Sequence, residues 1–205
     1  MYAVDSCNAF YQGDLGAAIT LATPSGTACP GGDSLSGLVV DAAGTYAYSQ
    51  NTALHELVQV RLSDRTMVHI PLPVEDDQNN PGDHDRILGL KRLGQALYWY
   101  TLGNWSEDTY HHVFDYPQRI TVYQLPLDTL TPTKMRSVAV SAYLSFGGIA
   151  PDASAMYFVG NDVIWKVPFD AAADPFAIMT ARTFVAVDDE WLYASTDYSI
   201  ERVAK

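Results

Sequence analysis

The sequence of 205 residues has little positive charge. It contains 12 Lys and Arg against 24 Asp and Glu, which gives a formal net charge of −12. A chain this acidic repels phosphate backbones and anionic lipid, so we expect neither a nucleic-acid partner nor membrane insertion. Charged residues of both signs make up only 18% and hydrophobic residues 48%, a balance that predicts a folded chain rather than a disordered one.

Long apolar runs and cysteines are also scarce. No apolar run reaches the roughly 18 residues that a membrane-spanning helix needs. The chain has two cysteines, Cys7 and Cys29. On the strand assignment given below both fall on one face of the first repeat, which makes a disulfide between them geometrically feasible, with two free thiols as the alternative. A disulfide implies an oxidising compartment, so we expect an extracellular or periplasmic location.

Aromatic and turn-forming residues are abundant. The sequence contains 13 Tyr, 7 Phe and 4 Trp together with 14 Gly and 11 Pro. Aromatic side chains favour strands, and Gly and Pro favour the turns between them. The composition therefore predicts an all-β chain.

One short unit recurs along the sequence. It consists of an apolar strand that ends near an Asp, then a turn, then a strand containing a Tyr, then a third strand of alternating apolar residues. In three copies the Asp precedes the first Tyr by five positions, in the pairs Asp41 and Tyr46, Asp152 and Tyr157, and Asp188 and Tyr193. Because the Asp recurs once per unit, we expect its carboxylate to cap backbone N–H groups in the turn rather than to perform acid–base chemistry.

Five such units cover the chain, at approximately 2–35, 36–84, 85–140, 141–181 and 182–205. They average about 41 residues, the spacing of four-stranded β-propeller blades. We therefore predict a single domain over 1–205 that is a β-propeller or part of one, with about five blade-like repeats of four antiparallel strands. A β-sandwich is the alternative. The fifth unit ends after its third strand, which predicts an open edge for self-association or a larger ring.

The third strands carry the most specific motif. Residues 164–170 read Ile-Trp-Lys-Val-Pro-Phe-Asp. This run, together with the preceding Asp, turn and Tyr, resembles the YWTD and related repeats of six-bladed propellers, although no YWTD tetrapeptide occurs. The resemblance implies the fold and no particular activity, because propellers host binding modules, lyases and lactone hydrolases alike.

Two long connections, 73–86 and 103–119, stand out between the predicted strands. Since antiparallel strands alternate in direction, both connections emerge on the same face and flank the same unit. The second connection is rich in aromatic and histidine side chains, which favour a rigid contact surface, although a long hairpin packed on its neighbour is the alternative. The predicted contact residues for a protein or glycan are Trp105, Tyr110, His111, His112, Phe114 and Tyr116.

The first connection is acidic. Carboxylates are the oxygen ligands that calcium prefers, and calcium is the one cofactor that the sequence suggests. The candidate ligands are Asp76, Asp77, Asp83 and Asp85. A solvated, turn-rich loop is the alternative interpretation of the same residues.

No catalytic motif accompanies these features: the sequence has no Gly-x-Ser-x-Gly, no His-Glu-x-x-His and no phosphate-binding loop. The leading interpretation is a non-catalytic propeller that binds a protein or glycan through the face carrying 73–86 and 103–119. The first alternative is a calcium-dependent hydrolase or lyase of the lactonase-like propeller type. The second is a structural segment or subunit of a larger assembly, completed through the open blade edge.

Overall fold

The computed structural model describes residues 2–4, 10–14, 17–22, 35–51, 55–73, 86–103, 118–140, 149–160, 162–181, 185–196 and 198–205. This part of the chain is built of β-strands, as the composition predicts, and it contains no helix able to cross a membrane. The strands are β1 (Tyr2–Val4), β2 (Phe10–Asp14), β3 (Ala17–Ala22), β4 (Leu35–Val40), β5 (Tyr46–Asn51), β6 (Glu56–Arg61), β7 (Met67–Pro71), β8 (Arg86–Leu93), β9 (Ala96–Gly103), β10 (Gln118–Pro126), β11 (Thr133–Val140), β12 (Ile149–Pro151), β13 (Ala155–Gly160), β14 (Val163–Pro168), β15 (Phe176–Thr180), β16 (Val185–Val187), β17 (Trp191–Ser195) and β18 (Ile200–Ala204).

The strands form five antiparallel sheets, and each sheet contains consecutive strands in chain order. The first sheet is β1 to β3, the second β4 to β7, the third β8 to β11, the fourth β12 to β15 and the fifth β16 to β18. Within the described residues the three middle sheets have four strands and the two outer sheets have three. Each repeat of the sequence therefore corresponds to one sheet.

The sheets are arranged around their first strands. β1 contacts β4, β4 contacts β8, β8 contacts β12, and β12 contacts β16. A chain of contacts between successive first strands places these strands on the inside and fans the sheets outward, which two stacked sheets cannot do. The fold is a β-propeller, as predicted, and the β-sandwich alternative is wrong. The extent of the domain, 1–205, stays a prediction.

Glycines allow the inner strands to approach each other. Gly37 in β4 and Gly89 in β8 have φ of 66° and 59°, and each lies where the strand register shifts. A Cβ on Gly37 would lie 3.3 Å from the Cβ of Leu90, and one on Gly89 would lie 2.8 Å from the Cδ1 of Ile149. These bulges require glycine both for the left-handed backbone and for the close approach of the next sheet.

The core lies between the sheets because successive side chains of a strand point to opposite faces. In β9, Leu97 and Trp99 pack toward the second sheet, whereas Tyr98 and Tyr100 pack toward the fourth. Trp99 is fully buried and stacks on Tyr123, with ring centroids 5.5 Å apart. The third sheet therefore contributes both of its faces to interfaces with its neighbours.

The strand pairing of the third sheet orients the two ends of the propeller. Arg86 pairs with Leu102, and Gly103 pairs with Arg119, so the strand ends that flank the two long connections lie together at one end of this sheet. We call that end the loop face. The opposite end carries the turn after Leu93 and the turn after Pro126, and we call it the turn face.

Candidate functional site

The recurring aspartates lie in turns on the turn face. The Oδ1 of Asp152 accepts hydrogen bonds from the backbone N–H of Ser154 at 2.7 Å and of Ala155 at 2.8 Å. The Oδ1 of Asp188 accepts from Glu190 at 2.9 Å and Trp191 at 2.7 Å. The predicted capping role is confirmed at both positions.

Asp41 caps a longer turn. Its Oδ1 accepts from the backbone N–H of Thr45 at 2.6 Å and of Tyr46 at 3.0 Å. Because this turn contains two more residues than the turns after Asp152 and Asp188, the sequence spacing of five positions does not align the same tyrosine in all three sheets.

The strand register shows which tyrosines occupy equivalent positions in the different sheets. Tyr48 pairs with Val39 in the second sheet, just as Tyr157 pairs with Ala150 in the fourth. The equivalence of Tyr46 with Tyr157 and Tyr193 is therefore wrong, and Tyr48 takes that position. One tyrosine occupies this place in the second strand of every sheet: Tyr11, Tyr48, Tyr98, Tyr157 and Tyr193.

The hydroxyl groups of Tyr48, Tyr98, Tyr157 and Tyr193 have two kinds of partner. Tyr157 donates to the Oδ2 of Asp152 at 3.0 Å, and Tyr193 donates to the Oδ2 of Asp188 at 2.8 Å. The fourth and fifth sheets therefore use the phenol proton within the protein.

The second and third sheets differ, because a glutamine lies opposite the tyrosine on the third strand. The hydroxyl of Tyr48 accepts from the Nε2 of Gln59 at 2.9 Å, and that of Tyr98 accepts from the Nε2 of Gln124 at 2.7 Å. Their own protons have no acceptor among the described residues.

A cleft of about 610 Å³ lies on the turn face, where the second sheet meets the third. Tyr48 lines it from the core between these two sheets, whereas Tyr98 lines it from the far side of the third sheet, where it stacks on Phe169. The cleft therefore passes over the turn between β8 and β9. Its described lining residues are Asp41, Tyr46, Tyr48, Leu93, Gln95, Ala96, Tyr98, Gln124, Pro126, Leu127 and Asp128.

The cleft is acidic and amphipathic. Two carboxylates, Asp41 and Asp128, line it, and no Lys or Arg is among its described lining residues. Burial raises the pKa of Tyr48 and of Tyr98, and the glutamine hydrogen bonds oppose that shift. Both phenols thus remain protonated at neutral pH and able to donate.

The carboxylate of Asp152 serves a different purpose, since it joins the fourth and fifth sheets. The Nζ of Lys205 donates to the Oδ2 of Asp152 at 3.1 Å and to the backbone oxygen of Asp188 at 2.7 Å. Burial of Asp152 disfavours its charged form, but hydrogen bonds from Ser154, Lys205 and Tyr157 outweigh it and lower its pKa from 3.8 to about 2. This group is a permanently charged structural acceptor at neutral pH.

The residues predicted to form the contact surface, the calcium site and the disulfide lie outside the described residues. This applies to the contact residues Trp105, Tyr110, His111, His112, Phe114 and Tyr116, to the calcium candidates Asp76, Asp77, Asp83 and Asp85, and to Cys7 and Cys29. All of these assignments stay predictions. Within the described ranges, no group of three or more His, Cys, Asp or Glu is placed to hold a metal ion.

The cleft was not predicted from the sequence, because the length of a connection is visible there whereas the partners of buried polar groups are not. The available signal was the residue opposite the recurring tyrosine on the third strand, which is Gln59 in the second sheet and Gln124 in the third. In the fourth and fifth sheets a cation, Lys166 or Arg202, occupies the same position.

No protein-family model and no curated protein matches the sequence. Solved structures do match it, at 13% identity. The nidogen/laminin complex structure has a TM-score of 0.56 over 98% of this chain and 73% of that one, and a streptogramin B lyase has 0.57 over 97% and 62%. The extracellular domain of a putative one-component system from B. thetaiotaomicron has 0.60 over 96% and 25%.

These matches establish the fold alone. The neighbours are β-propellers, which agrees with the arrangement of the five sheets. They include a protein complex, a lyase and an extracellular domain. The chain spans less than two thirds of the length of the lyase and of the one-component system domain.

Proposed function

We propose that this chain is a non-catalytic β-propeller module that binds a protein or glycan. We propose the cleft on the turn face, which is lined by described residues, as one binding surface. The observation that carries the proposal is the lining of this cleft, which combines buried phenol donors, amides, carboxylates and apolar turn residues. Small-molecule and peptide sites typically show this mixture of apolar walls and a few placed polar groups, in volumes of roughly 300–1,000 Å³.

The chemistry of the recurring aspartates supports binding rather than catalysis. A general acid or base at neutral pH needs a pKa close to 7 and an unoccupied oxygen. Hydrogen bonds from the turn instead lower the pKa of both Asp152 and Asp188, and the Oδ1 of each is occupied by backbone N–H groups. These carboxylates stay ionised and serve the fold.

The aromatic connection on the loop face is a second proposed contact surface. The described strand ends support its position, because Gly103 and Arg86 lie at the same end of the third sheet. If this connection binds a partner, substituting Trp105 and Tyr110 with Ala abolishes capture without lowering the melting temperature. Unchanged capture by that variant removes the surface from the proposal.

An extracellular or periplasmic location belongs to the same proposal, since the propellers that match this chain include an extracellular domain. A calcium-dependent hydrolase or lyase is the enzymatic alternative, supported by the lyase, which shares the fold as closely as the nidogen/laminin complex does. The acidic connection with Asp76, Asp77, Asp83 and Asp85 would hold that calcium ion.

A structural role in a larger assembly is favoured by one further observation. Among the described strands, β18 pairs only with β17, whereas the equivalent β6, β10 and β14 each pair with a fourth strand. Ile200 at the start of β18 is 74% exposed. An edge of this kind is a template for pairing with another strand.

The test of the proposed function separates binding from turnover. The purified chain is titrated with panels of oligosaccharides and peptides, with and without calcium. Each bound ligand is then recovered and its mass is measured by mass spectrometry. Saturable 1:1 binding of a ligand that is recovered unchanged supports the module. A ligand recovered cleaved, or no saturable binding in either panel, overturns it.

A further inference from the structure

Resting on the proposed function, we infer that the turn-face cleft binds an uncharged oligosaccharide. In this assignment, the sugar oxygens accept hydrogen bonds from the hydroxyl groups of Tyr48 and Tyr98. Sugar hydroxyls in turn donate to the carboxylates of Asp41 and Asp128.

Among the described residues, the two phenols are buried donors without an acceptor. Tyr48 is 1% exposed and Tyr98 is 6% exposed, and each hydroxyl receives a glutamine N–H. A phenol has one proton to donate in addition to the lone pairs it offers. Within the described part of the chain neither proton reaches an acceptor, although the equivalent protons of Tyr157 and Tyr193 do. Buried donors are normally satisfied by protein or by water, so the acceptor comes from the contents of the cleft: water in the empty cleft and a ligand oxygen in the filled one.

The charge of the cleft selects against anions. Asp41 and Asp128 repel a phosphate, sulfate or carboxylate, and no described Lys or Arg lines the cleft. The nearby guanidinium of Arg61, 5.8 Å from the ring centroid of Tyr46, is paired with Asp64 at 2.9 Å. A purely cationic ligand also fits poorly, because an ammonium group supplies donors alone and leaves both phenol protons unmet. A hydroxyl donates and accepts at one atom, which matches a cleft that contains both donors and acceptors.

The shape of the cleft indicates several sugar units rather than one. Tyr48 faces the third sheet and Tyr98 faces the fourth, so the two donors lie on either side of the turn between β8 and β9. The lining also includes the apolar residues Leu93, Ala96 and Pro126. These residues offer a surface for the C–H faces of sugar rings.

The experiment is isothermal titration of the intact chain with neutral gluco-, manno- and xylo-oligosaccharides, with uronate and sulfated oligosaccharides, and with peptides. We expect 1:1 binding of a neutral oligosaccharide and no binding of the charged ones. Tyr48→Phe and Tyr98→Phe each remove one donor and should weaken this binding about fivefold to tenfold. Tyr193→Phe removes the equivalent hydroxyl outside the cleft and should leave binding unchanged.

A second variant controls for effects on folding. Asp128 is an exposed residue, so Asp128→Ala should preserve the melting temperature while weakening sugar binding about fivefold. Binding of an anionic oligosaccharide or of a peptide instead of a neutral sugar overturns the inference but leaves the proposed function standing. An equal loss in Tyr193→Phe, or unaltered binding in Asp128→Ala and both cleft tyrosine variants, also overturns it.

Discussion

At the scale of single residues, the same tyrosine position performs two tasks in one chain. Where an Asp accepts its proton, as at Tyr157, the phenol stabilises the turn and its proton is not available to a ligand. Where a Gln donates to its oxygen, as at Tyr48, the proton remains available to a ligand. The residue opposite on the third strand thus differs between the tyrosines that donate within the protein and those that we propose as donors to a ligand.

The free energy of unfolding should depend on pH through Asp152. Hydrogen bonding lowers the pKa of Asp152 from 3.8 to about 2 in the folded chain. Because the folded pKa lies below the unfolded one, its contribution of about 2 kcal/mol is present above pH 4 to 5 and is lost as the pH falls toward 2. Asp152→Asn should therefore lower the free energy of unfolding by about 2 kcal/mol at pH 7, as measured by chemical denaturation, with a gap that closes near pH 2.

Asp188→Asn is the matched control for this prediction. Asp188 makes the same type of turn bonds but is exposed to solvent, where screening weakens charge interactions, so the loss should be smaller. A gap for Asp152→Asn that is the same at pH 7 and at pH 2.5 contradicts the assigned role of its charge.

The sequence predicted the aspartate turns correctly because they are local. A carboxylate that caps N–H groups two or three residues away depends only on its neighbours, as Asp152 shows with Ser154. The tyrosine alignment failed at Tyr46 because a lengthened turn shifts the spacing without changing the motif. Register between strands, not distance along the chain, decides which residues are equivalent.

At the scale of elements, the inner strands require glycine for reasons that the sequence does not reveal. Gly89 combines a φ of 59° with a Cβ position 2.8 Å from Ile149, a residue of the next sheet. The contact depends on how two sheets pack, so neither the local sequence nor a turn motif predicts it.

Substitution of Gly89 tests this packing. Gly89→Ala should lower the free energy of unfolding through left-handed backbone strain of about 1 kcal/mol plus about 1–3 kcal/mol of overpacking against Ile149. Gly94→Ala is the control, because Gly94 has a φ of 57° but no atom within 4 Å of its Cβ position. The difference between the two variants in the free energy of unfolding, measured by urea denaturation, isolates the cost of the close approach of β8 and β12. Equal losses in the two variants would refute the assigned role of that approach.

At the scale of the whole molecule, the repeat in the sequence predicted a radial arrangement, and successive contacts of the first strands confirm it. The proposed binding surface was harder to predict. Long connections draw attention to the loop face, whereas the described cleft lies on the turn face among short turns. Its donors become recognisable only when strand pairing shows that a glutamine lies opposite Tyr48 and Tyr98.

Among the described strands β18 pairs only with β17, and this yields a prediction about assembly. If β18 pairs with a second copy, light scattering should give a mass of at least twice 22.5 kDa. Ile200→Lys places a charge on this exposed edge and should return the mass to that of one chain. A single-chain mass for the unaltered protein at every concentration rules out pairing between copies.

The most direct test of the account is to map which face of the propeller is covered by ligand. Hydrogen–deuterium exchange is measured by mass spectrometry with and without the bound neutral oligosaccharide. We predict slower exchange in peptides that cover the turns around Asp41, Gln95 and Asp128, and unchanged exchange in the peptide over 104–117. Protection of 104–117 alone, or no protection around these three turns, would contradict the account.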